Sequence, residues 1–382
     1  MSFVEIERAG FLNKGAELML RSVQRALQPR LPDCAFVSAA LENDFPQRSA
    51  HGLWQRAELW RGGWDFAAPV SLLPKHLRRR LGLVTRSEVS LALDCSGMAY
   101  SDQWGIWPIK HLARRAEAWA KQKTPFLLLP QAFGPFNEPA FERFLSRASP
   151  HIHHFAVRDD WSLAFLKDCL GGDANIEKIP DITLGLEVAP KPTTAADRRT
   201  LLVVPNARMI DRQVPTQASA YFDFMVNALK LASASGADTH FLIHEGPQDE
   251  ALAARLAKVA QVSFPNLVPA NAVEAKAQLS SADLILGSRF HALLGGLAGG
   301  VQTLGLGWSH KYAGLFKDFG CEEWLLPYDT HPSAALEQFA HALETPLPAD
   351  KREKLRKVRE QMQRDLARYW DFVAQLAVKT KP

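Results

Sequence analysis

Cysteine is scarce in this chain of 382 residues, and its four cysteines are scattered without a C-x-x-C pair. This spacing excludes a disulfide framework or a zinc knuckle and favours reduced thiols in a cytosolic protein. Charge of one sign is lacking too, because 45 Lys and Arg residues stand against 41 Asp and Glu residues and leave a formal charge of +4. Such an even balance of positive and negative charge excludes a protein whose main function is to coat nucleic acid.

Long apolar runs are also missing. The longest uncharged stretch, residues 292–309, holds six glycines together with polar Gln302 and Thr303, whereas a membrane span needs about 20 mostly apolar residues. Glu5, Glu7 and Arg8 interrupt the apolar core that an N-terminal secretory signal would need. We therefore expect a compact globular protein in the cytoplasm.

The chain does contain a regular alternation of short apolar runs with longer amphipathic ones. Strands are predicted over 3–9, 34–39, 89–93, 125–129 and 153–157, and helices over 13–25, 109–122 and 138–148. This alternation predicts a mostly parallel sheet that is covered by helices on both faces.

A segment rich in Pro, Thr and charge, residues 187–199, interrupts the alternation and is typical of a linker. A second series follows, with strands at 201–204, 240–243, 283–286, 302–306 and near Trp324, and helices at 218–235, 249–260 and 290–297. We therefore predict two doubly wound α/β domains, residues 1–188 and 199–345, which face each other across a cleft. An amphipathic helix over 349–378 is expected to pack back across them.

Polar, glycine-rich segments follow most of the predicted strands. In doubly wound sheets, ligands bind beyond the carboxyl ends of the strands, where loops and helix N-termini converge. The segments at this rim are Asn13-Lys-Gly15, Asp94-Cys-Ser96-Gly97, Gln131-Ala-Phe-Gly134, Arg158-Asp159, Asn206-Ala-Arg208, His244-Glu245-Gly246, Ser288-Arg289-Phe290-His291 and Trp308-Ser-His-Lys311.

The segment from Ser288 to His291 carries the most chemical information. Ser288 stands where a helix N-cap is expected, and a helix N-terminus attracts anions. Arg289 adds a planar fork for carboxylate or phosphate, and His291 adds a group that exchanges protons near neutral pH. Spacing alone leaves the alternative open that Arg289 pairs with a surface carboxylate and His291 caps its own helix.

Three arginines, Arg158, Arg208 and Arg289, stand at strand ends together with Lys311. If the two domains close on each other, these side chains can converge on one small and highly charged anion. Taken singly, each of them is more often a solvated surface charge, but their shared position at strand ends favours a common site.

Other candidate sites have less support. His151, His153 and His154 lack acidic or cysteine partners at metal-ligand spacing, so we expect no metal site. Cys95 follows Asp94, and a neighbouring carboxylate should raise the pKa of the thiol, which argues against a catalytic cysteine. The first glycine turn differs from the G-x-G-x-x-G fingerprint of dinucleotide sites.

Several of these motifs together resemble the polysaccharide pyruvyl transferase family. The resemblance rests on Asn13-Lys-Gly15-Ala16, Gln131-Ala-Phe-Gly134-Pro135, Ala156-Val-Arg158-Asp159, Pro180-Asp181 and Ser288-Arg289-Phe290-His291-Ala292-Leu293, and it continues through 299–305 to Lys311. It spans most of the chain, and the order of the motifs is more specific than any one of them.

The resemblance implies a GT-B-like pair of Rossmann-like domains that transfers pyruvate from phosphoenolpyruvate to a sugar diol of a polysaccharide or lipid-linked oligosaccharide. The product is a pyruvate ketal, phosphate is released, and no further cofactor is implied. The first domain is expected to take the acceptor and the second to take phosphoenolpyruvate. Arg158, His291 and Lys311 match the catalytic positions, and the candidate substrate-binding residues are Arg289, Arg208, Ser288, Asn13, Gly15, Asp94 and Gln131.

Two alternatives remain open. The same rim positions bind a diphosphate in GT-B glycosyltransferases that use nucleotide sugars, so such an enzyme is the nearest rival. A protein that binds anions without catalysis, as a partner in polysaccharide assembly, is the other. The sugar, its hydroxyl pair, the ketal stereochemistry and the oligomeric state cannot be predicted from this sequence.

Two features of the first half have alternative explanations. A tryptophan cluster either packs internally, which is the commoner role, or stacks on sugars; its members are Trp54, Trp60, Trp64, Trp104 and Trp107. A run of Lys75, Arg78, Arg79 and Arg80 interleaved with Leu72, Leu73, Leu77 and Leu81 either forms a solvated helix face or contacts an anionic membrane surface peripherally.

Overall fold

The computed structural model describes residues 2–11, 13–39, 44–58, 60–61, 64–65, 68–172, 174–190 and 198–379. Its contacts divide the chain into two compact units. Unit 1 comprises Met1–Phe11, Met19–Leu186 and Gln363–Pro382, and unit 2 comprises Leu12–Leu18 and Glu187–Met362. The segment expected to be a linker, 187–199, lies partly outside the described residues.

Unit 1 is built on a parallel sheet whose strands run in the order β10-β9-β8-β7-β1-β2-β3-β6. A short antiparallel hairpin, β4 with β5, stands apart from it. The strand bounds are β1 (Ser2–Glu7), β2 (Cys34–Ala39), β3 (Trp54–Arg56), β4 (Trp60–Arg61), β5 (Trp64–Asp65), β6 (Leu83–Val84), β7 (Val89–Asp94), β8 (Phe126–Gln131), β9 (His154–Val157) and β10 (Ile176–Lys178).

The order of the unit 1 strands reverses between β1 and β7. These two strands pair in parallel, with Glu7 opposite Asp94 at their carboxyl ends. All six residues of β7 are buried, as expected of a central strand that helices cover on both faces. A reversal of this kind leaves a crevice at the carboxyl edge of the sheet, where ligands commonly bind.

The helices of unit 1 bury one apolar face each. In the helix that follows β7, Ile109, Leu112, Ala113, Ala116 and Trp119 are buried at helical spacing. The bounds are α1 (Lys14–Leu27), whose first turn belongs to unit 2, α2 (Phe45–Ala50), α3 (Lys75–Arg80), α4 (Trp107–Lys121), α5 (Pro139–Ala148) and α6 (Asp160–Leu170).

Unit 2 has a parallel sheet with the strand order β13-β12-β11-β14-β15. Its core contains Leu202, Val204, Leu242, Ile285 and Ala292. The strands are β11 (Thr200–Val204), β12 (Asp238–Leu242), β13 (Asn266–Leu267), β14 (Leu284–Gly287) and β15 (Gln302–Gly305), and the helices are α7 (Arg208–Asp211), α8 (Pro215–Ser235), α9 (Gly246–Ala260), α10 (Ala272–Leu279), α11 (Phe290–Ala298), α12 (His310–Phe319) and α13 (Pro332–Glu344).

The chain ends in a long helix, α14 (Ala349–Lys379). From Gln363 onward it is grouped with unit 1. Leu366, Trp370 and Val373 are buried there, and the Tyr369 ring lies 5.6 Å from that of His154. From Gln363 onward, the predicted amphipathic stripe is therefore used for packing within this unit.

Most of the predicted elements are confirmed, and one is wrong. The α/β class and the parallel sheets agree with the prediction, and strand β2 has the predicted bounds. The strand expected near Trp324 is a single turn of 3₁₀ helix, Glu322–Trp324, followed by an isolated bridge between Gly305 and Leu325. A short apolar run without periodicity could not distinguish these two structures. Within the described part of the chain, no helix combines the length and apolarity needed to cross a membrane.

Candidate functional site

The first turns of three helices, α1, α9 and α11, are joined by direct contacts within unit 2. Asn13 stands before α1, where its Oδ1 accepts a hydrogen bond from Gly15 N at 2.7 Å. The Asn13 Nδ2 group donates to Glu245 Oε1 at 3.0 Å, and Glu245 is the residue before α9. Helix N-termini carry free N–H groups and a partial positive charge, so this junction is suited to an anion.

Gly15 brings α1 into contact with His291 in the first turns of the two helices. A Cβ atom built on Gly15 would lie 2.1 Å from His291 Nδ1, and side-chain carbons do not approach a ring nitrogen so closely. Glycine is therefore required here by the close approach of the imidazole. Three of the predicted site residues, Asn13, Gly15 and His291, are thus brought together.

Arg289 is held by two acidic side chains. Its Nε donates to Asp249 Oδ2 at 2.9 Å, its Nη2 reaches the other oxygen of the same carboxylate, and its Nη1 pairs with Glu245. Burial lowers the pKa of Arg289 to about 10, so the guanidinium stays protonated at neutral pH. The Asp249 carboxylate is fully buried. The bidentate pair therefore fixes the plane of the guanidinium.

The expectation that Ser288 caps a helix is wrong. Helix α11 begins at Phe290 after Arg289, and no side chain caps it. The Ser288 hydroxyl is fully buried and lies 2.8 Å from the Tyr221 hydroxyl. Tyr312 donates to the Ser288 carbonyl at 3.0 Å. Two buried tyrosines of unit 2 thus form hydrogen bonds with Ser288. Ser288 therefore serves to hold the turn that presents Arg289.

Arg208 and Lys311 lie at the same rim of unit 2. Arg208 donates to Asp211 Oδ2 at 2.7 Å, and the side chain remains about one third exposed. Lys311, in the first turn of α12, places its Nζ 5.6 Å from the centroid of the Phe290 ring and 5.0 Å from that of Trp308. Because Phe290 opens α11, this ammonium group lies close to the turn that carries Arg289 and His291.

His244 is a member of this rim that sequence reasoning noted but did not assign. It lies just beyond the carboxyl end of β12 and is 2% exposed, and neither ring nitrogen has a hydrogen-bond partner among the described residues. Burial, followed by the charges of Arg289, His291 and Lys14, holds the pKa of His244 well below 6.5. The sequence alone could not predict a neutral, buried imidazole beside these cations, because the burial of His244 results from tertiary packing.

This environment gives the stability of the protein a pH dependence. His244 binds a proton near pH 6.5 when unfolded but not when folded, so acidification below 6.5 favours the unfolded state. We expect the free energy of unfolding to fall by up to about 1.4 kcal/mol per pH unit from this residue. His244→Phe should remove that part of the slope in urea titrations between about pH 7.5 and 5.5. Parallel pH profiles for the two proteins would contradict the assignment.

The predicted site residues of unit 1 cluster at the carboxyl edge of its sheet. Asp94, at the end of β7, is fully buried and accepts bonds from Tyr100 at 2.6 Å and from Arg115 at 2.6 Å. Gln131, at the end of β8, donates to the same carboxylate at 3.4 Å. Burial acts to raise the pKa of Asp94, but Arg115, Arg8 and hydrogen bonds from Ser96 and Tyr100 outweigh it, and the net pKa is lowered.

Arg158 lies beside this network rather than in open solvent. It is 6% exposed, its Nη1 donates to Asp181 at 2.6 Å, and its Nη2 donates to the Gly97 carbonyl at 2.8 Å. The Arg158 backbone N–H also donates to Gln131 O at 3.1 Å. The guanidinium therefore ties the loop after β7 to the turn that begins at Asp181.

Two further expectations concern cysteine and metal. Burial, then Asp94 and Asp181, raise the pKa of Cys95 well above its usual value, which agrees with the prediction that this thiol is not a nucleophile. His154 faces Glu177 at 3.4 Å. Among the residues described, no group of three or more His, Cys, Asp or Glu side chains is placed to hold a metal ion.

A comparison with models of protein families identifies the family of this chain. The model of the family described as polysaccharide pyruvyl transferase matches residues 13–310. The chain belongs to the polysaccharide pyruvyl transferase family. The family match spans both the Asn13–Gly15 turn and the Ser288–His291 segment. Among curated proteins, no significant match to the chain is found.

Solved structures similar to this pyruvyl transferase family member share its fold at low sequence identity. The UDP-GlcNAc 2-epimerase from Neisseria meningitidis bound to UDP-GlcNAc has a TM-score of 0.57 at 11% identity, with 99% of this chain and 100% of that chain covered. A putative UDP-N-acetylglucosamine 2-epimerase from Listeria monocytogenes gives 0.55 at 12%, covering 98% and 94%. Anabaena Alr3699/HepE in complex with UDP-glucose gives 0.54 at 12%, covering 96% and 100%. The predicted GT-B-like class with two Rossmann-like units is confirmed.

Proposed function

We propose that this transferase moves pyruvate from phosphoenolpyruvate to a sugar diol of a polysaccharide or a lipid-linked oligosaccharide, forming a pyruvate ketal and releasing phosphate. The observation that carries the proposal is the junction of α1, α9 and α11 in unit 2, which gathers helix N-termini, Arg289, His291 and Lys14. Phosphoenolpyruvate carries about three negative charges near neutral pH. The helix N-termini and Lys14 add hydrogen-bond donors and positive charge to the oriented N–H groups of Arg289, whose own charge is balanced by Asp249 and Glu245.

The reaction needs proton transfers but no oxidation or reduction. A proton is added to the enol methylene carbon, and one sugar hydroxyl bonds to the neighbouring carbon and loses its proton. The carbon–oxygen bond to phosphate then breaks, and the second hydroxyl bonds to the same carbon. Of the two hydroxyl protons, one remains in the new methyl group and the other leaves with phosphate. Two acid–base steps therefore have to be assisted.

His291 is the residue we assign to general acid or base catalysis. It is half-buried in the first turn of α11 and is held against Gly15. Its neighbour Arg289 is oriented by Asp249 and is assigned to the donor carboxylate or phosphate. Lys311 and Arg208, at the same rim, are assigned to the departing phosphate and to donor binding.

Arg158, which the resemblance places among the catalytic positions, is assigned a positioning role in unit 1 through the loop that it holds. Its bonds to Asp181 and to Gly97 hold the segment that carries Asp94 and Ser96. Arg158→Ala would remove the guanidinium that pairs with the buried Asp181 carboxylate, so it should lower the free energy of unfolding by roughly 3–5 kcal/mol. It should also lower turnover. Arg158→Lys distinguishes the two effects, because it keeps the charge that Asp181 needs.

The identity of the donor is tested by thermal unfolding in the presence of candidate ligands. A ligand that binds only the folded state at 100 times its Kd adds about 2.7 kcal/mol to the unfolding free energy. We expect phosphoenolpyruvate to raise the melting temperature and UDP-glucose or UDP-GlcNAc to leave it unchanged. A shift with the nucleotide sugars alone would favour a glycosyltransferase. A shift with phosphoenolpyruvate but no phosphate release in the presence of acceptor would favour a non-catalytic binding protein.

We also propose a peripheral contact with the inner face of the membrane, through a surface smaller than the sequence suggested. Arg78 and Arg79 do not face outward, because both pair with Glu88 and the Arg79 guanidinium lies 4.3 Å from the centroid of the Phe3 ring. The remaining surface consists of exposed Leu72, Leu77 and Leu81 together with Lys75 and Arg80. Exposed leucines beside cations are suited to an anionic lipid surface.

Co-sedimentation with vesicles containing anionic lipid tests this contact. Replacing Leu72, Leu77 and Leu81 together by serine should weaken binding about tenfold or more, since one fully buried leucine is worth about 1.5–3 kcal/mol. Val214→Ser, at an exposed apolar residue of unit 2, should leave binding unchanged. Absence of salt-sensitive binding by the unaltered protein would refute the contact.

A further inference from the structure

We propose that the carboxyl edge of the unit 1 sheet carries a binding site for a negatively charged sugar, in which Trp107 supports the sugar ring while Arg8, Lys110 and Arg114 bind the charged group. The inference deepens the proposed function, since this sugar would be the acceptor. The site lies at the reversal of strand order between β1 and β7, where doubly wound sheets leave room for a ligand.

Arg8 is the first indication of such a site. It directly follows β1, its side chain is exposed, and its φ of 59° lies in the left-handed region that residues other than glycine rarely adopt. Strained residues of this kind are concentrated at binding and active sites. The guanidinium lies 5.9 Å from the centroid of the Tyr100 ring, and Tyr100 is bonded to Asp94. Arg8 is thus held at the edge of the buried network but points a charge towards water.

Positive charge is concentrated next to Arg8. Lys110, His111 and Arg114 follow Trp107 at helical spacing in α4, so these four side chains share one face of the helix. Burial and then the charges of Arg114, Arg115, Arg8 and Lys110 lower the pKa of His111, in agreement with this arrangement. Arg115 pairs with two carboxylates, Glu7 and Asp94, so this group of three carries one negative charge in excess. The other three cations outweigh that charge, and the positive field that remains favours an anionic ligand.

An aromatic surface adjoins these cations. Trp107 is 60% exposed, its ring lies 5.3 Å from that of His111, and Lys110 Nζ lies 5.1 Å from its centroid. Trp104, three residues earlier, is 36% exposed. The internal packing expected for the tryptophan cluster holds for Trp54, whose ring contacts that of Phe3 edge-on at 5.5 Å. It does not hold for the exposed Trp104 and Trp107. The side chains of Trp60 and Trp64 lie outside the described part of the structure.

Exposed indoles and cations together select the class of ligand. The apolar face of a pyranose ring covers an indole, and the adjacent cations require a phosphate or a carboxylate on the same molecule. A neutral sugar would leave the cations uncompensated, and a simple anion would leave the indole in water. A phosphate on a lipid-linked sugar and the carboxylate of a sugar acid share this chemistry.

Calorimetric titration with small probes tests the site without phosphoenolpyruvate. We expect glucose-1-phosphate, or glucuronate if the charge is a carboxylate, to bind more tightly than glucose or inorganic phosphate alone. Trp107→Ala and Arg8→Gly should each weaken that binding about tenfold. Glycine adopts the φ of residue 8 without strain, so Arg8→Gly removes the charge and keeps the fold. Weaker binding of glucuronate than of glucose-1-phosphate would indicate the lipid-linked phosphate.

The matched control is Trp161→Ala, because Trp161 is another exposed tryptophan of unit 1, at 40%, on helix α6. It should leave probe binding unchanged. Failure of both charged probes to bind, or equal loss in the Trp161 and Trp107 variants, would overturn the inference. The melting-temperature shift with phosphoenolpyruvate should persist in the Trp107 variant. If phosphoenolpyruvate causes no such shift in the unaltered protein, the proposed donor is refuted instead. Failure of the acceptor site and failure of the proposed donor are therefore distinguishable.

Discussion

Replacement of His291 by alanine is expected to lower turnover by roughly 10²–10⁴-fold, the usual contribution of a general acid or base. The side chain packs against Gly15 and is half-buried, so its loss leaves a small space at the rim and not in the core. The melting temperature and its shift with phosphoenolpyruvate should therefore change little. Phosphate release in the presence of acceptor measures turnover directly.

Two controls make this experiment decisive. His331→Ala removes an exposed histidine of unit 2 and should leave turnover unchanged. Added imidazole should restore part of the activity of the His291 variant, because the missing ring is replaced by a free one. Turnover close to that of the unaltered protein would remove His291 from the proposed chemistry.

A methyl group added at Gly15 should have an effect almost as large. In most helices a change from glycine to alanine stabilises by about 0.5–1 kcal/mol. Here the new Cβ would lie 2.1 Å from His291 Nδ1 and must displace the imidazole. Since a displacement of about 1 Å can cost about 10²-fold in rate, we expect Gly15→Ala to lower turnover by that order without removing any reactive group.

Gly185→Ala is the matched control for this substitution. Gly185 has no atom within 4 Å of an added Cβ and is exposed in a 3₁₀ turn of unit 1. That variant should keep full activity and stability. If the Gly15 variant also kept full activity, the close contact with His291 would have no catalytic consequence.

The order of the elements was predictable from the sequence because buried parallel strands appear as short apolar runs. Strand β2, Cys34–Ala39, has the predicted bounds, and helix α11, Phe290–Ala298, differs by one residue at its end. The prediction of a strand near Trp324 was wrong because a run of three apolar residues is too short to show either a strand or a helix periodicity. The rim residues were predictable for the same reason as the strands, since they follow the apolar runs.

What those rim residues contact was not predictable. Asn13 bonds to Glu245 across 232 positions of sequence, and the first turn of α1 belongs to unit 2. Arg158 pairs with Asp181 and Arg289 with Asp249, so both arginines are oriented by carboxylates that spacing alone did not indicate. His244 looked like an ordinary loop residue because its burial arises from tertiary packing. The inward orientation of Arg78 and Arg79 has the same origin.

Transfer of labelled pyruvate is the measurement that tests the central claim most directly. The native acceptor glycan is incubated with ¹³C-labelled phosphoenolpyruvate and either the unaltered protein or the His291→Ala variant, and the products are analysed by mass spectrometry and phosphate assay. We predict a labelled ketal on the glycan and one phosphate released for each ketal, with both strongly reduced in the variant. A glycan that gains no label from the unaltered protein, or that gains a sugar when a nucleotide sugar is supplied, would contradict the account.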